Sequence, residues 1–158
     1  MGLVVTPFPL QLLSFERPPE EWVAELDKEW KAALKDLYRL QGVPLECLIL
    51  AEGGHWRAAG IICPGIPHDL EKYRPLLMGM DGPDHRHIGF LWTFLECRQK
   101  GWGSVWLKKV KERYKARTLW LTIEEEALLP FYHQNGFRKV LVLGTGLEKE
   151  WVLVHSPK

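Results

Sequence analysis

Between His87 and Val110 the chain reads HIGFLWTFLECRQKGWGSVWLKKV, and this stretch constrains the fold more than any other. An apolar, strand-like run ends at Arg98, the backbone turns through RQKGWG, and a basic amphipathic helix follows to about Tyr114. A strand that feeds a Gly-rich turn and a helix N-terminus is the form of an anion site. The first helical N–H groups have no intrahelical acceptor, and the aligned peptide dipoles place about half a positive charge there. Gly101 and Gly103 leave the backbone bare, so a phosphate oxygen can approach those N–H groups closely. Along the strand, Ile88, Phe90, Trp92 and Phe94 are large and apolar and share one face at the strand period. The other face carries His87, Gly89, Leu91, Thr93 and Leu95, and its Gly and Thr leave room near its start for something other than core.

The segments on either side are read from period and punctuation. Leu3 to Leu13 is apolar with Pro7 and Pro9 inside it, so it is an edge strand or an extended lead-in. Pro18, Pro19, Glu20 and Glu21 open a helix of about 20 residues, whose Trp22, Val23, Leu26, Trp30, Ala33, Leu34 and Leu37 form one apolar face up to Gly42 and Pro44. Leu45 to Ala51 and Trp56 to Ile62 flank a Gly53-Gly54 turn and predict a β-hairpin. Residues 68–80 are ambiguous, one helical turn or two. Arg117 to Ile123 is a strand, parallel or nearly so to the one before it. Thr122 and Glu125 make a capping box that starts another helix, with Pro130 inside it to bend it, and Asn135-Gly136 ends it. Phe137 to Leu143 and Trp151 to His155 close the chain as a hairpin.

With 158 residues the expectation is one domain over 1–158. A net charge of +1 argues against a chain that coats nucleic acid or an anionic membrane. Cys47, Cys63 and Cys97 have no CxxC spacing, which predicts reduced thiols and a cytoplasmic protein. No apolar run approaches the roughly 20 residues of a membrane helix. The opening MGLVVT fits a loose N-acylation pattern without a polybasic patch behind it; the alternative is that residues 2–5 begin a strand. Asp81, Asp84, His85 and His87 lack any known metal-ligand spacing, and turn chemistry accounts for the Asp, Gly and Pro of that loop, so no metal is expected.

A P-loop would need GxxxxGK followed by Ser or Thr, and none is present. A dinucleotide fingerprint would need a third glycine where Trp106 stands, and an indole there blocks the close helix–strand contact that glycine permits. What remains is Arg98-Gln-Lys-Gly101-Trp-Gly103. It resembles the R/Q-x-x-G-x-G/A pyrophosphate loop of the GCN5-related N-acetyltransferase (GNAT) family. The segment from Ala127 to Phe137, ALLPFYHQNGF, resembles that family's A-x-x-x-[FL]-Y-x-x-x-G-F segment. The resemblance covers about His87 to Arg138 and is architectural before that.

The resemblance implies an α/β fold, with a mixed, mostly antiparallel sheet of about six to seven strands, helices on both faces, and a splay between the strands at 88–95 and 117–123. It implies an enzyme that moves an acetyl group from acetyl-CoA to a primary amine on a small molecule or peptide. The N–H groups of Gln99, Lys100, Gly101, Trp102, Gly103 and Ser104, with Arg98, would cradle the pyrophosphate of coenzyme A. Backbone groups at Leu91, Trp92 and Thr93 would pair with the pantetheine arm. Tyr132 matches the family's tyrosine that protonates the departing thiolate; the alternative is a buried aromatic that closes its helix onto the sheet. His87 is the candidate general base, by a partial match to the arylalkylamine branch and because imidazole titrates in the useful range; the alternative is a solvated loop histidine. Glu96 and His133 are weaker candidates. Glu124 and Glu125 stand where the family usually has Asn. Lys108, Lys109 and Lys111 could meet the 3′-phosphate, or simply form a solvated face, and Cys97 is read as packing. The acceptor pocket is expected from the loops at 14–20 and 63–86, and a Trp-rich surface makes a homodimer plausible. Two rivals keep the loop without the chemistry: an acyl-CoA-binding regulatory module, and an interaction domain that binds no coenzyme A.

Overall fold

The computed structural model describes residues 8–157, so both readings of residues 2–5 lie outside it. In chain order the elements are β1 (Leu10–Phe15), α1 (Glu20–Val23), α2 (Lys28–Leu40), β2 (Glu46–Glu52), β3 (His55–Pro64), α3 (Arg74–Leu77), β4 (His85–Thr93), α4 (Trp102–Arg113), β5 (Thr118–Ile123), α5 (Leu129–Gln134), β6 (Arg138–Leu143) and β7 (Glu150–His155). Short 3₁₀ turns at His68–Tyr73 and Met78–Met80 flank α3. The strands form one sheet in the order β1-β2-β3-β4-β5-β7-β6. Every pairing is antiparallel except β4 with β5, which matches the mixed sheet expected. The β2–β3 turn uses Gly53 and Gly54 at φ 56° and 90°, the left-handed pair that a tight hairpin requires.

Alternation along β3 shows that helices cover both faces. Ile61 and Cys63 line a cavity together with Trp30, Ala33 and Leu37 of α2. Gly60, which precedes Ile61 in sequence, faces the opposite way and touches the Trp106 indole of α4. Trp106 is fully buried, and its Nε1–H donates to the Leu48 carbonyl at 3.0 Å. A second apolar cluster joins Trp120, Val152 and Val154 of the sheet to Ile66, Leu70 and Leu77, so the 66–80 segment covers the α2 side of β5 and β7.

Four local expectations are corrected. The long first helix is two, because the Asp27 carboxylate accepts from Trp30 N–H at 2.8 Å and caps a new helix there. The capping box does not form: Thr122 lies within β5, and its hydroxyl donates to Glu150 at 3.2 Å. Pro130 sits in the first turn of α5, where its missing N–H costs no intrahelical bond, rather than inside a longer helix. The tryptophans do not form a fully exposed surface: four are buried and four, Trp30, Trp56, Trp92 and Trp151, are half-buried.

Candidate active site

The strict alternation expected along β4 is broken at Phe90, which has φ 58°. Ala59 pairs with Trp92 and Ile61 with Gly89, so Phe90 and Leu91 together oppose Gly60 as a β-bulge. The bulge sits where the sheet opens. β4 pairs with β5 only from His85↔Thr118 to His87↔Trp120, although β4 continues to Thr93. Beyond His87, therefore, the β5-facing edge of β4 has no strand partner, and a wedge-shaped groove lies between the two strands. Leu91, Trp92 and Thr93 lie along that edge.

The RQKGWG turn follows. Gln99 and Gly101 take φ 62° and 85°, and Gly101 is the N-cap of α4 with no side chain capping the helix. The first N–H groups of α4, from Trp102 to Ser104, are thus left for an external acceptor. A Cβ on Gly103 would lie 3.3 Å from Phe131 and 3.5 Å from the Thr93 hydroxyl, so the turn is wedged between the end of β4 and α5. The Arg98 Nε donates to the Thr93 carbonyl at 3.0 Å, and its guanidinium lies 4.4 Å from the Trp92 ring centre. The Lys100 side chain is exposed. The turn is buttressed by residues that the sequence did not single out. Arg57 pairs with Glu52 at 2.7 Å, donates to Cys97 Sγ and covers Trp102. Glu25 accepts from the Trp92 indole at 3.1 Å and from Leu95 N–H at 2.8 Å.

On the α2 side the groove widens into a cavity of about 490 Å³ that contains both proposed catalytic side chains, His87 and Tyr132. Tyr132 is 8% exposed and meets Phe131 and Phe137 edge-on, at 5.0 and 5.9 Å. Burial raises its pKa to about 12. His87 is buried, its ring 4.6 Å from that of Trp120, and its Nε2 has no hydrogen-bond partner. It is not the solvated histidine of the alternative reading, nor does it titrate near neutrality: burial lowers its pKa to about 3. Glu96 and His133 are exposed and do not line the cavity. Of the loops expected to build this cavity, 63–86 contributes Cys63, Pro67 and Asp69, while 14–20 contributes nothing and α2 takes its place. Lys109 pairs with Glu112 at 3.8 Å, and Lys111 donates to the Asn135 carbonyl at 2.6 Å. Among the described residues no group of three His, Cys, Asp or Glu is placed to hold a metal ion. Asp81 instead pairs with Arg74, and Asp84 lies 3.9 Å from Arg117.

The state of His87 has a measurable consequence. Its folded pKa of about 3 lies below the ordinary value near 6.5. Above pH ~6.5 both folded and unfolded chains hold it neutral. As pH falls from about 6.5 towards 3, the unfolded chain binds a proton that the fold refuses, so this contribution to stability is lost at up to about 1.4 kcal/mol per pH unit. Urea unfolding at pH 7, 6 and 5 should show a flatter decline for His87→Leu than for the parent chain. Parallel declines would mean that His87 takes up its proton at the same pH in the fold as in the unfolded chain.

A sheet splayed beside a bulged central strand, a bare helix N-terminus next to the splay and a tyrosine in the groove are what an acyl-CoA-dependent acyltransferase requires. The family model for the acetyltransferase (GNAT) family matches residues 10–137, and the chain belongs to that family. Among solved structures, the chain resembles a Bacillus subtilis acetyltransferase in complex with CoA, with TM-score 0.66 and 15% identity over 94% of this chain and 99% of that one. It also resembles a GNAT-family acetyltransferase from Streptococcus pneumoniae, with TM-score 0.56 and 17% identity over 94% and 100%. A third is the ribosomal-protein-S18-alanine N-acetyltransferase from Escherichia coli, with TM-score 0.54 and 13% identity over 93% of each chain. At these identities the likeness is one of fold. No curated protein sequence matches the chain. No helix among the described residues is long and apolar enough to cross a membrane.

Proposed function

We propose that the chain transfers the acetyl group of acetyl-CoA directly to a primary amine, with Tyr132 as the general acid. The observation that carries this reading is the unpaired β4 edge and Tyr132 on one cavity, with the uncapped α4 N-terminus packed beside Thr93 and Phe131 at its end. The N–H groups from Gln99 to Ser104, with Arg98, suit a pyrophosphate, since an N-terminal helix dipole and bare glycines favour close anionic oxygens. The open edge at Leu91, Trp92 and Thr93 suits an amide-bearing arm that pairs like a strand. A backbone N–H at the Phe90 bulge would meet the thioester oxygen as it gains charge, a contribution of about 3 kcal/mol in comparable sites.

The step balances without an acyl-enzyme. The amine lone pair forms the new C–N bond, and the C–S electron pair leaves with sulfur. The Tyr132 proton passes to sulfur, the phenolate recovers a proton from the reacting nitrogen, and the proton first carried by the ammonium goes to solvent. A phenol of pKa about 12 stays protonated through the neutral range. Transfer to a thiolate forming in the same dry groove is matched, because desolvation raises the thiol's pKa as well. His87 enters as an acceptor: its free Nε2 can take a hydrogen bond from the incoming amine, while a pKa of about 3 prevents it from storing the proton. The three buried, unpaired cysteines support a reducing, cytoplasmic setting.

Titration with acetyl-CoA tests the cradle. At a ligand concentration of about 100 Kd, the linkage of binding to folding should raise Tm by roughly 5–10 °C for a chain of this size. Gly103→Trp should remove that shift, since an indole cannot fit between Phe131 and Thr93. An equal shift in the variant would place the ligand elsewhere. Amine-dependent release of free thiol then separates the enzyme from an acyl-CoA-binding module.

A further inference from the structure

The cavity that holds His87 and Tyr132 is acidic on several sides. Glu29 reaches it from the first turn of α2, Asp69 from the 3₁₀ turn at 68–73, Glu124 and Glu125 from the end of β5, and Glu150 from the start of β7. No Lys or Arg is among the described residues that line it. The chain as a whole is nearly neutral, with 21 basic and 20 acidic residues, so five carboxylates around one cavity are a local concentration rather than a reflection of composition.

Three of these carboxylates, Asp69, Glu124 and Glu150, act on one another. Glu150, half-buried and held by the Thr122 hydroxyl, has its pKa raised by burial and then by repulsion from Glu124 and Asp69. Asp69 is likewise raised by burial. The cations that act on them, Lys72 on both and His68 on Asp69, lie outside the cavity lining, and Lys72 stands 5.2 Å from the Tyr73 ring centre. Like charges gathered at the mouth of a cavity, with Glu150 half-buried among them, cost free energy that an entering cation relieves. A second observation points to a ligand in the same place. The Nε2 of His87, nine-tenths buried in this cavity, has no partner, and in the Nδ1–H tautomer of the neutral ring it accepts from an N–H donor.

We infer that the cavity selects a small acceptor with two positive charges, an aliphatic diamine or a related polyamine. One ammonium sits among the acidic residues while the other nitrogen, beside His87 and Tyr132, reacts. A monocationic acceptor would use only part of this field. The space, about 490 Å³ in all, suits a small molecule rather than a folded chain end. This inference rests on the acetyl-transfer reading and supplies its substrate class.

Initial rates of thiol release with acetyl-CoA test it, using cadaverine, its uncharged-tail isostere hexylamine, and a short peptide with an N-terminal alanine. Cadaverine should exceed hexylamine in kcat/KM by about ten-fold or more, and the ratio should shrink as salt is raised. The double substitution Glu124→Gln with Glu125→Gln should move the ratio towards one, as should Glu150→Gln alone. Calorimetry of cadaverine against the CoA-loaded protein should detect binding that the double variant loses. Equal use of cadaverine and hexylamine, or a preference for the peptide, would overturn the inference and leave acetyl transfer standing. Thiol release with none of the amines, despite acetyl-CoA binding, would remove both.

Discussion

Tyr132→Phe should lower kcat by a factor on the order of 10² to 10³, within the range of general acid catalysis, and leave acetyl-CoA affinity within a few-fold of the parent. The phenyl ring retains the edge-on packing against Phe131 and Phe137, so neither the helix nor the groove should shift and Tm should barely change. Only the proton donor is lost. The departing thiolate then takes its proton from water, which the buried setting of the ring keeps scarce. Single-turnover rates with bound acetyl-CoA separate this chemical loss from binding. An unchanged turnover would sink the assigned acid and leave Tyr132 as the packing residue that the bland reading makes it.

The largest effect on stability should come from the contact between Trp106 and Gly60. Truncating a fully buried indole to Ala removes its dispersion contacts, leaves a cavity and deprives the Leu48 carbonyl of its donor, at a cost of about 3–5 kcal/mol. Gly60→Ala strikes the same contact from the other side. Its Cβ would lie 2.5 Å from Trp106 Cζ2 and 2.7 Å from Cη2. The ring cannot swing aside while Nε1 is tied to Leu48, so overpacking should cost about 1–3 kcal/mol. The two substitutions should not add. In a Trp106→Leu background, Gly60→Ala should cost much less, and a double-mutant cycle by urea unfolding should return a coupling of about 1 kcal/mol or more. Strict additivity would mean that the ring and the strand do not press on each other.

That contact also corrects an inference from sequence. Trp106 stands where a dinucleotide fold has its third glycine, and its indole excludes that fold because it blocks close helix–strand packing. The structure keeps close packing by moving the vacancy across the interface: Gly60 on β3 supplies the space that residue 106 does not. Nothing near Trp106 in the chain announces this, since the partner lies 46 residues away.

The same division runs through the site. The glycine-rich turn into α4 was legible because its causes are local: bare glycines, a helix start and the dipole act within six residues of one another. The hairpin at Gly53-Gly54 and the apolar face of α2 were legible for the same reason. The Asp27 cap that divides the first helix is a local signal too, yet the unbroken apolar period on either side masked it. The bulge at Phe90 was not legible, because strict alternation along β4 reads the same with or without an extra residue, and only the pairing with β3 reveals the mismatch. Nor could the sequence tell a base from a buried acceptor at His87. An imidazole's pKa is set by what surrounds it, and here Trp120 and the cavity wall remove water from the ring. The acidic wall is the clearest case: Glu29, Asp69, Glu124, Glu125 and Glu150 come from four separate segments. Sequence alone determined the turn, the tyrosine motif and the family, since those depend on neighbours along the chain. Tertiary structure decided the open edge, the burial of His87 and the acidic lining of the cavity, because electrostatic fields and desolvation add up over space rather than along the backbone.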